Sequence, residues 1–140
     1  TITEAYAPMS ITMTLEDEID VSRGDMIVRE NNTPQVGQDI DVIVTWMNKK
    51  PLLERTKIII KHTTNECLGM VKEVKYKIDI NTLHRNEEAI SLEMNDIGKV
   101  SIRSSKPLFF DIYKKNRQTG SLIIIDEQTN ETIGAAMIVA

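Results

Sequence analysis

The chain has 140 residues, 41% of them apolar and 27% charged, with only 6 Gly and 4 Pro. It is long enough to bury a core without disulfides, and the composition excludes a disordered or low-complexity chain. Its 17 basic and 21 acidic side chains give a net charge of −4. Seven of the acids fall in residues 1–32 beside only Arg23 and Arg29, while the remaining 108 residues hold 15 bases and 14 acids, so nucleic acid is an improbable partner for so nearly neutral a surface.

Ile, Val and Thr make up 42 of the residues against 6 Ala and 8 Leu, a balance that favours strands over helices. No apolar run approaches the roughly 18 residues of a membrane span, so no membrane is expected as a partner. Cys67 is the single cysteine, which points to a reducing, cytoplasmic setting. The chain begins Thr1-Ile2-Thr3, already strand-like and without an initiator Met, and reads as an excerpt of a longer protein.

In chain order, Ile11 to Leu15 alternates apolar and polar residues and predicts a half-buried strand, followed by the acidic run Glu16 to Asp20. Arg23-Gly24-Asp25 predicts a tight turn into a second strand, Met26-Ile27-Val28. These look like the last strands of a barrel whose earlier strands are absent. Glu30 to Pro34 has the composition of a linker, which sets the expected division: 1–32 the end of a truncated barrel domain, 33–140 a complete domain.

In that second domain Ile40, Val42, Val44 and Trp46 alternate with Asp41, Ile43 and Thr45, and a turn at Lys49-Lys50-Pro51 leads to a strand at Lys57 to Lys61. Val74, Tyr76, Ile78 and Ile80 alternate with Lys75, Lys77 and Asp79, predicting one apolar and one charged face. Further strands are expected at Ile90-Leu92-Met94, Val100-Ile102, Leu108-Phe110, Leu122 to Ile125 and Ile133 to Val139, the last two joined by a polar hairpin turn. Only Asn81 to Glu88 could hold a helical turn. The expected fold is all-β, a small antiparallel Greek-key barrel of six or seven strands closed to remove its edges.

Catalytic and binding motifs are sparse. No GxxxxGK[ST] loop occurs to cradle phosphates, and Asn48-Lys49-Lys50-Pro51 has Pro51 where a guanine-reading aspartate would stand. His62 and His84 each lack a neighbouring carboxylate or thiol and read as a strand-end and a loop residue, so no metal site is expected. Cys67 reads as a small apolar filler, and no catalytic constellation is present. Trp46 is either a core residue or a partner-facing anchor. The long polar segment from Asp111 to Gly120 is either a solvated connection or a docking element.

The order of these parts resembles the junction of the second and third domains in translational-type GTPases such as elongation factor Tu. Within that superfamily the resemblance is to the large, GTPase subunit of bacterial sulfate adenylyltransferase (ATP sulfurylase). It is carried by Leu15 to Met26, Val44 to Met47, Lys75 to Thr82, Asn95 to Gly98, Phe110 to Tyr113, Asn116 to Ser121 and Thr129 to Ala135. The resemblance implies a protein that hydrolyses GTP to drive adenylyl transfer from ATP to sulfate on a smaller catalytic subunit. GTP and Mg would be bound by an N-terminal domain that these residues do not include, and no cofactor is implied for the residues present. What remains for this chain is an inter-domain or inter-subunit surface, with Trp46, Lys75, Tyr76, Asp79, Asp111, Tyr113, Asn116, Arg117 and Thr119 as candidates. Alternatively these residues pin the barrel itself. A different reading of the same junction is the third domain of an elongation-factor-like GTPase that binds tRNA or a ribosomal partner.

Overall fold

A computed structural model describes all residues, 1–140. It contains no helix. Nine strands follow in order: β1 Gln35–Trp46, β2 Leu52–Leu53, β3 Lys57–His62, β4 Asn65–Ile78, β5 Arg85–Asn86, β6 Ser91–Leu92, β7 Ile97–Phe110, β8 Ser121–Ile125 and β9 Thr132–Ile138. The main sheet runs β3-β8-β9-β1-β7-β4, and pairing of β3 with β4 closes it into a six-stranded antiparallel barrel. β3, β4 and β7 are successive neighbours while β1 returns beside β7, which is the expected Greek key. Closure leaves no long edge to recruit another strand.

The alternation in β1 performs as its sequence dictates: Ile40, Val42, Val44 and Trp46 are buried and the residues between them face outward. Ile58 and Ile60 of β3, Val100 and Ile102 of β7, and Leu122 and Ile124 of β8 meet them in the interior. Leu52 and Leu92, in the separate β2–β6 pair, are fully buried and join the same core, Leu92 lying against Gly98 of β7.

Two strands depart from the pattern. β4 begins nine residues before Val74, at Asn65, and carries register shifts between Val71 and Glu73 and between Val74 and Tyr76. Each extra residue turns the following side chains to the other face, so the even alternation expected from Val74 to Ile80 is lost and Ile80 is exposed beyond the strand. β7 is one strand where two were expected: it passes from Ile102 to Leu108 through a bulge, opposite which Gly37 pairs with Leu108 and Asp39 with Arg103. The buried Ser104 hydroxyl has one proton to give, and the Lys106 carbonyl at 2.6 Å is its nearer acceptor, with the Gln38 carbonyl at 3.2 Å beside it in the interrupted ladder.

The strands expected at Ile11–Leu15 and Met26–Val28 do not form within this chain. A strand needs a neighbour for its backbone groups, and residues 1–34 find none, so Met13 and Leu15 stand about half exposed. The turn at Arg23-Gly24-Asp25 does form: Asp25 N–H donates to the Ser22 carbonyl, Ser22 N–H to the Asp25 carboxylate, and Gly24 takes φ 101°, which suits a residue without Cβ.

Opposite charges lock the outer face of β1, β7 and β4. Asp39 lies 3.2 Å from both Lys72 and Arg103, and Asp41 lies 2.8 Å from Lys75 and 3.0 Å from Lys99, with Ser101 donating a further hydrogen bond. Burial pushes the Asp41 carboxyl up, but the hydrogen bonds from Lys75, Ser101 and Lys99 outweigh it and bring the value to about 2 from an ordinary 3.8. A carboxyl depressed in the folded state stabilises the fold above its unfolded value and loses that contribution as pH falls through its folded value. We therefore expect about 2 kcal/mol of stability to disappear between roughly pH 5 and pH 2 on account of Asp41. Urea unfolding at a series of pH values checks this: Asp41→Asn should be less stable than the parent at pH 7 and the two should converge near pH 2. A constant gap across that window would refute the assignment.

Candidate interface

The segment Asp111 to Gly120 connects β7 to β8 across the end of the barrel where β1 begins and β9 finishes. It is a built structure. The Asp111 carboxylate accepts from Lys115 Nζ through one oxygen and from the Thr119 hydroxyl through the other, both at 2.9 Å. The Lys115 ammonium, helped by Thr119 and opposed by burial, holds the Asp111 carboxyl below the usual range. Asn116 accepts the N–H groups of Gln118 and Thr119 on its side-chain oxygen, and its carbonyl accepts Gly120 N–H at 2.9 Å. Backbone bonds from Tyr113 N–H to the Ile138 carbonyl, 2.9 Å, and from Ile138 N–H to the Gly120 carbonyl, 2.8 Å, tie both ends to β9.

Gly120 is required by space. A Cβ there would overlap Tyr113 Cα and stand 2.6 Å from both Tyr113 N and the Asn116 carbonyl oxygen. Asp111, Asn116 and Thr119 are therefore committed to the shape of the segment, while two neighbours are presented outward. Arg117 is exposed and takes part in none of the six salt bridges. Tyr113 is half-buried and, with Gln118, borders a groove of about 470 Å³ whose floor includes Ile43, Ile123 and Met137 on the outer face of β1, β8 and β9.

Lys75, Tyr76 and Asp79 lie elsewhere. Tyr76 and Ile78 pair with Lys99 and Ile97 at the start of β7, whereas the 111–120 segment leaves from its end at Phe110, so the structure does not bring the two groups together. Lys75 is occupied by Asp41, whose carboxylate raises the ammonium's pKa. The Tyr76 ring lies under the Arg85 guanidinium at 4.9 Å. Asp79 caps a turn: the N–H groups of Thr82 and Asn81 donate to its carboxylate and hold it below the usual range.

Trp46 as a surface anchor is corrected by the structure. It is 1% exposed at an inward-facing position of β1, and its Nε1–H donates to the Lys50 carbonyl at 2.8 Å. No group of three His, Cys, Asp or Glu side chains converges as a metal site would require.

Two further features of the barrel end lie outside the candidate set. His62 is buried, with Nε2 2.6 Å from the Thr119 carbonyl oxygen. The N-terminal segment also arrives here: a Cβ on Gly24 would lie 3.2 Å from Asn65 Cγ, and Met26, Arg29 and Asn32 share a cleft with Asp111, Asn116 and Thr119. The signal for His62 in sequence was a polar residue in phase with Ile58 and Ile60.

The family model described as GTP-eEF1A C-terminal domain-like matches residues 39–139. The chain is 46% identical over 135 residues to a protein of Rhodopirellula baltica named bifunctional enzyme CysN/CysC, covering 96% of this chain and 21% of that protein. It is 44% identical over 140 residues to sulfate adenylyltransferase subunit 1 of a Sulfurovum species, covering 99% of this chain and 29% of that one. The chain thus spans between a fifth and a third of the length of these relatives. Among solved structures, sup35 complexed with GDP superposes with a TM-score of 0.70 at 11% identity over 79% of this chain and 27% of that one, a likeness of fold.

Proposed function

This chain belongs to the GTP-eEF1A C-terminal domain-like family, and on that premise we propose that it is the C-terminal barrel region of the GTPase subunit of a sulfate adenylyltransferase. The observation that carries the reading is the identity of 44% to a sulfate adenylyltransferase subunit 1 across 99% of this chain, which includes the 111–120 segment. In this reading ATP and sulfate are converted to adenosine 5′-phosphosulfate and pyrophosphate on a smaller catalytic subunit. GTP with Mg is held in an N-terminal part of the larger one. This chain's residues offer neither a phosphate-cradling glycine loop nor a metal-ligand cluster, and we assign them no catalytic step.

Their part is mechanical. A nucleotide state can act on a distant active site only through contacts that differ between two arrangements, and a closed barrel moves as a unit with its surfaces intact. Arg117 and Tyr113, offered by a pre-shaped segment, are the contacts we assign to the GTPase domain or the smaller subunit. Residues 1–32 would supply the last strands of a second barrel, which accounts for their exposed apolar side chains.

Replacing Arg117 or Tyr113 by Ala in the full-length subunit is expected to weaken binding of the smaller subunit by about ten-fold and to lower GTP-coupled turnover, since a truncated anchor costs about 1–2 kcal/mol. The uncoupled GTPase rate should persist. Unchanged affinity together with unchanged coupled turnover would remove the interface assignment.

A further inference from the structure

β3 points Ile58, Ile60 and His62 inward in succession, and all three are buried. Packing alone would be served by a third aliphatic residue. The imidazole places Nε2 2.6 Å from the Thr119 carbonyl oxygen, and because a carbonyl only accepts, Nε2 carries the hydrogen. Thr119 is the residue whose hydroxyl closes on Asp111 and whose N–H is received by Asn116. The other side-chain hydrogen bonds of the 111–120 segment stay within it, so His62 is the one barrel-wall side chain that grips it. The turn that follows is itself fixed: the Thr63 hydroxyl donates to the His62 carbonyl at 2.7 Å, and Thr63 takes φ 53°.

We propose that His62 is a positioning residue for the candidate interface, holding the Thr119 turn so that Arg117 and Tyr113 stand in one arrangement before a partner arrives. The proposal rests on the interface reading above. Bonds within the segment and to β9 give it its shape, and His62 adds the barrel-wall contact at Thr119; a turn ordered before the encounter spares binding that cost.

The test uses NMR on the 140-residue chain and partner binding on the full-length subunit. In the parent protein, the His62 ring should be the Nε2–H tautomer with a slowly exchanging ring proton; a bare Nε2 would overturn the proposal without any substitution. In His62→Leu the Gly120 amide should exchange roughly ten-fold faster while the Val42 and Ile102 amides stay protected, the pattern of local opening. His62→Gln, whose side-chain N–H can meet the same carbonyl, should restore slow exchange. Unchanged exchange at Gly120 in His62→Leu, or no recovery in His62→Gln, also overturns it. In the full-length subunit His62→Leu should weaken partner binding and His62→Gln should not. If exchange responds as expected but Arg117→Ala and Tyr113→Ala leave partner affinity unchanged, the grip on the segment stands and the interface reading falls.

Discussion

Replacing Trp46 with Ala is expected to destabilise the barrel by about 3–5 kcal/mol, the cost of deleting a fully buried large aromatic. The indole fills the end of the interior where β1 finishes, and Gly134 of β9 makes room for it: a Cβ at that position would come within 3.3 Å of Trp46 Cε3. The surrounding backbone cannot collapse into the void easily. Trp46 N–H donates to the Asp96 carbonyl, Asn95 N–H donates to the Trp46 carbonyl, and Asn95 is held at φ 70°. Trp46→Phe retains most of the burial but loses the hydrogen bond to the Lys50 carbonyl, and should cost about 1 kcal/mol. Denaturant unfolding followed by circular dichroism checks both, because Trp46 is the only tryptophan and its fluorescence disappears with it. A loss below about 1 kcal/mol for Trp46→Ala would mean that this end of the barrel repacks freely.

Gly120→Ala is expected to cost about 2–4 kcal/mol, a large effect for one methyl group on a connecting segment. The obstacle is backbone on the facing side, at Tyr113 and Asn116, which has no rotamer to yield. To admit the methyl the turn must open, and that loosens the hydrogen bond from Gly120 N–H to the Asn116 carbonyl and the bond from Ile138 N–H to Gly120. A lower unfolding midpoint with an unchanged denaturant slope is the expected signature. A change within about 0.5 kcal/mol would show that the segment shifts without resistance and would count against its being pre-shaped.

The parts of this fold that were legible are those where one face is apolar and the other is not. β1 announces itself because Asp41 and Thr45 interrupt its apolar series, and β8 and β9 because a polar turn divides them. The first half of β4 was hidden by Leu68 and Met70, outward-facing apolar residues that erase the alternation with buried Cys67 and Val71. The polar stretch before Pro107 divided β7 on paper, whereas in space it is one bulge. Asp41 could not be picked out because its partners, Lys75, Lys99 and Ser101, are set by the register of three strands. The 111–120 segment stands out in sequence as a long polar stretch, yet which of its residues face inward depends on hydrogen bonds that spacing does not encode. Trp46 was open between core and surface until the neighbouring strands enclosed it.

The closed sheet also has a history. β1 is the first long strand of the barrel to be made, yet its two neighbours are β7 and β9, and Asp41 exchanges backbone bonds with Val139 and Ala140 at the far end of the sequence. During synthesis β1 must wait, apolar face uncovered, until β7 and β9 have been made. Meanwhile β3 and β4 can pair as a local hairpin. Closure is therefore a late event governed by contacts between distant parts of the chain, and folding on a millisecond-to-second scale is the expectation for such a topology.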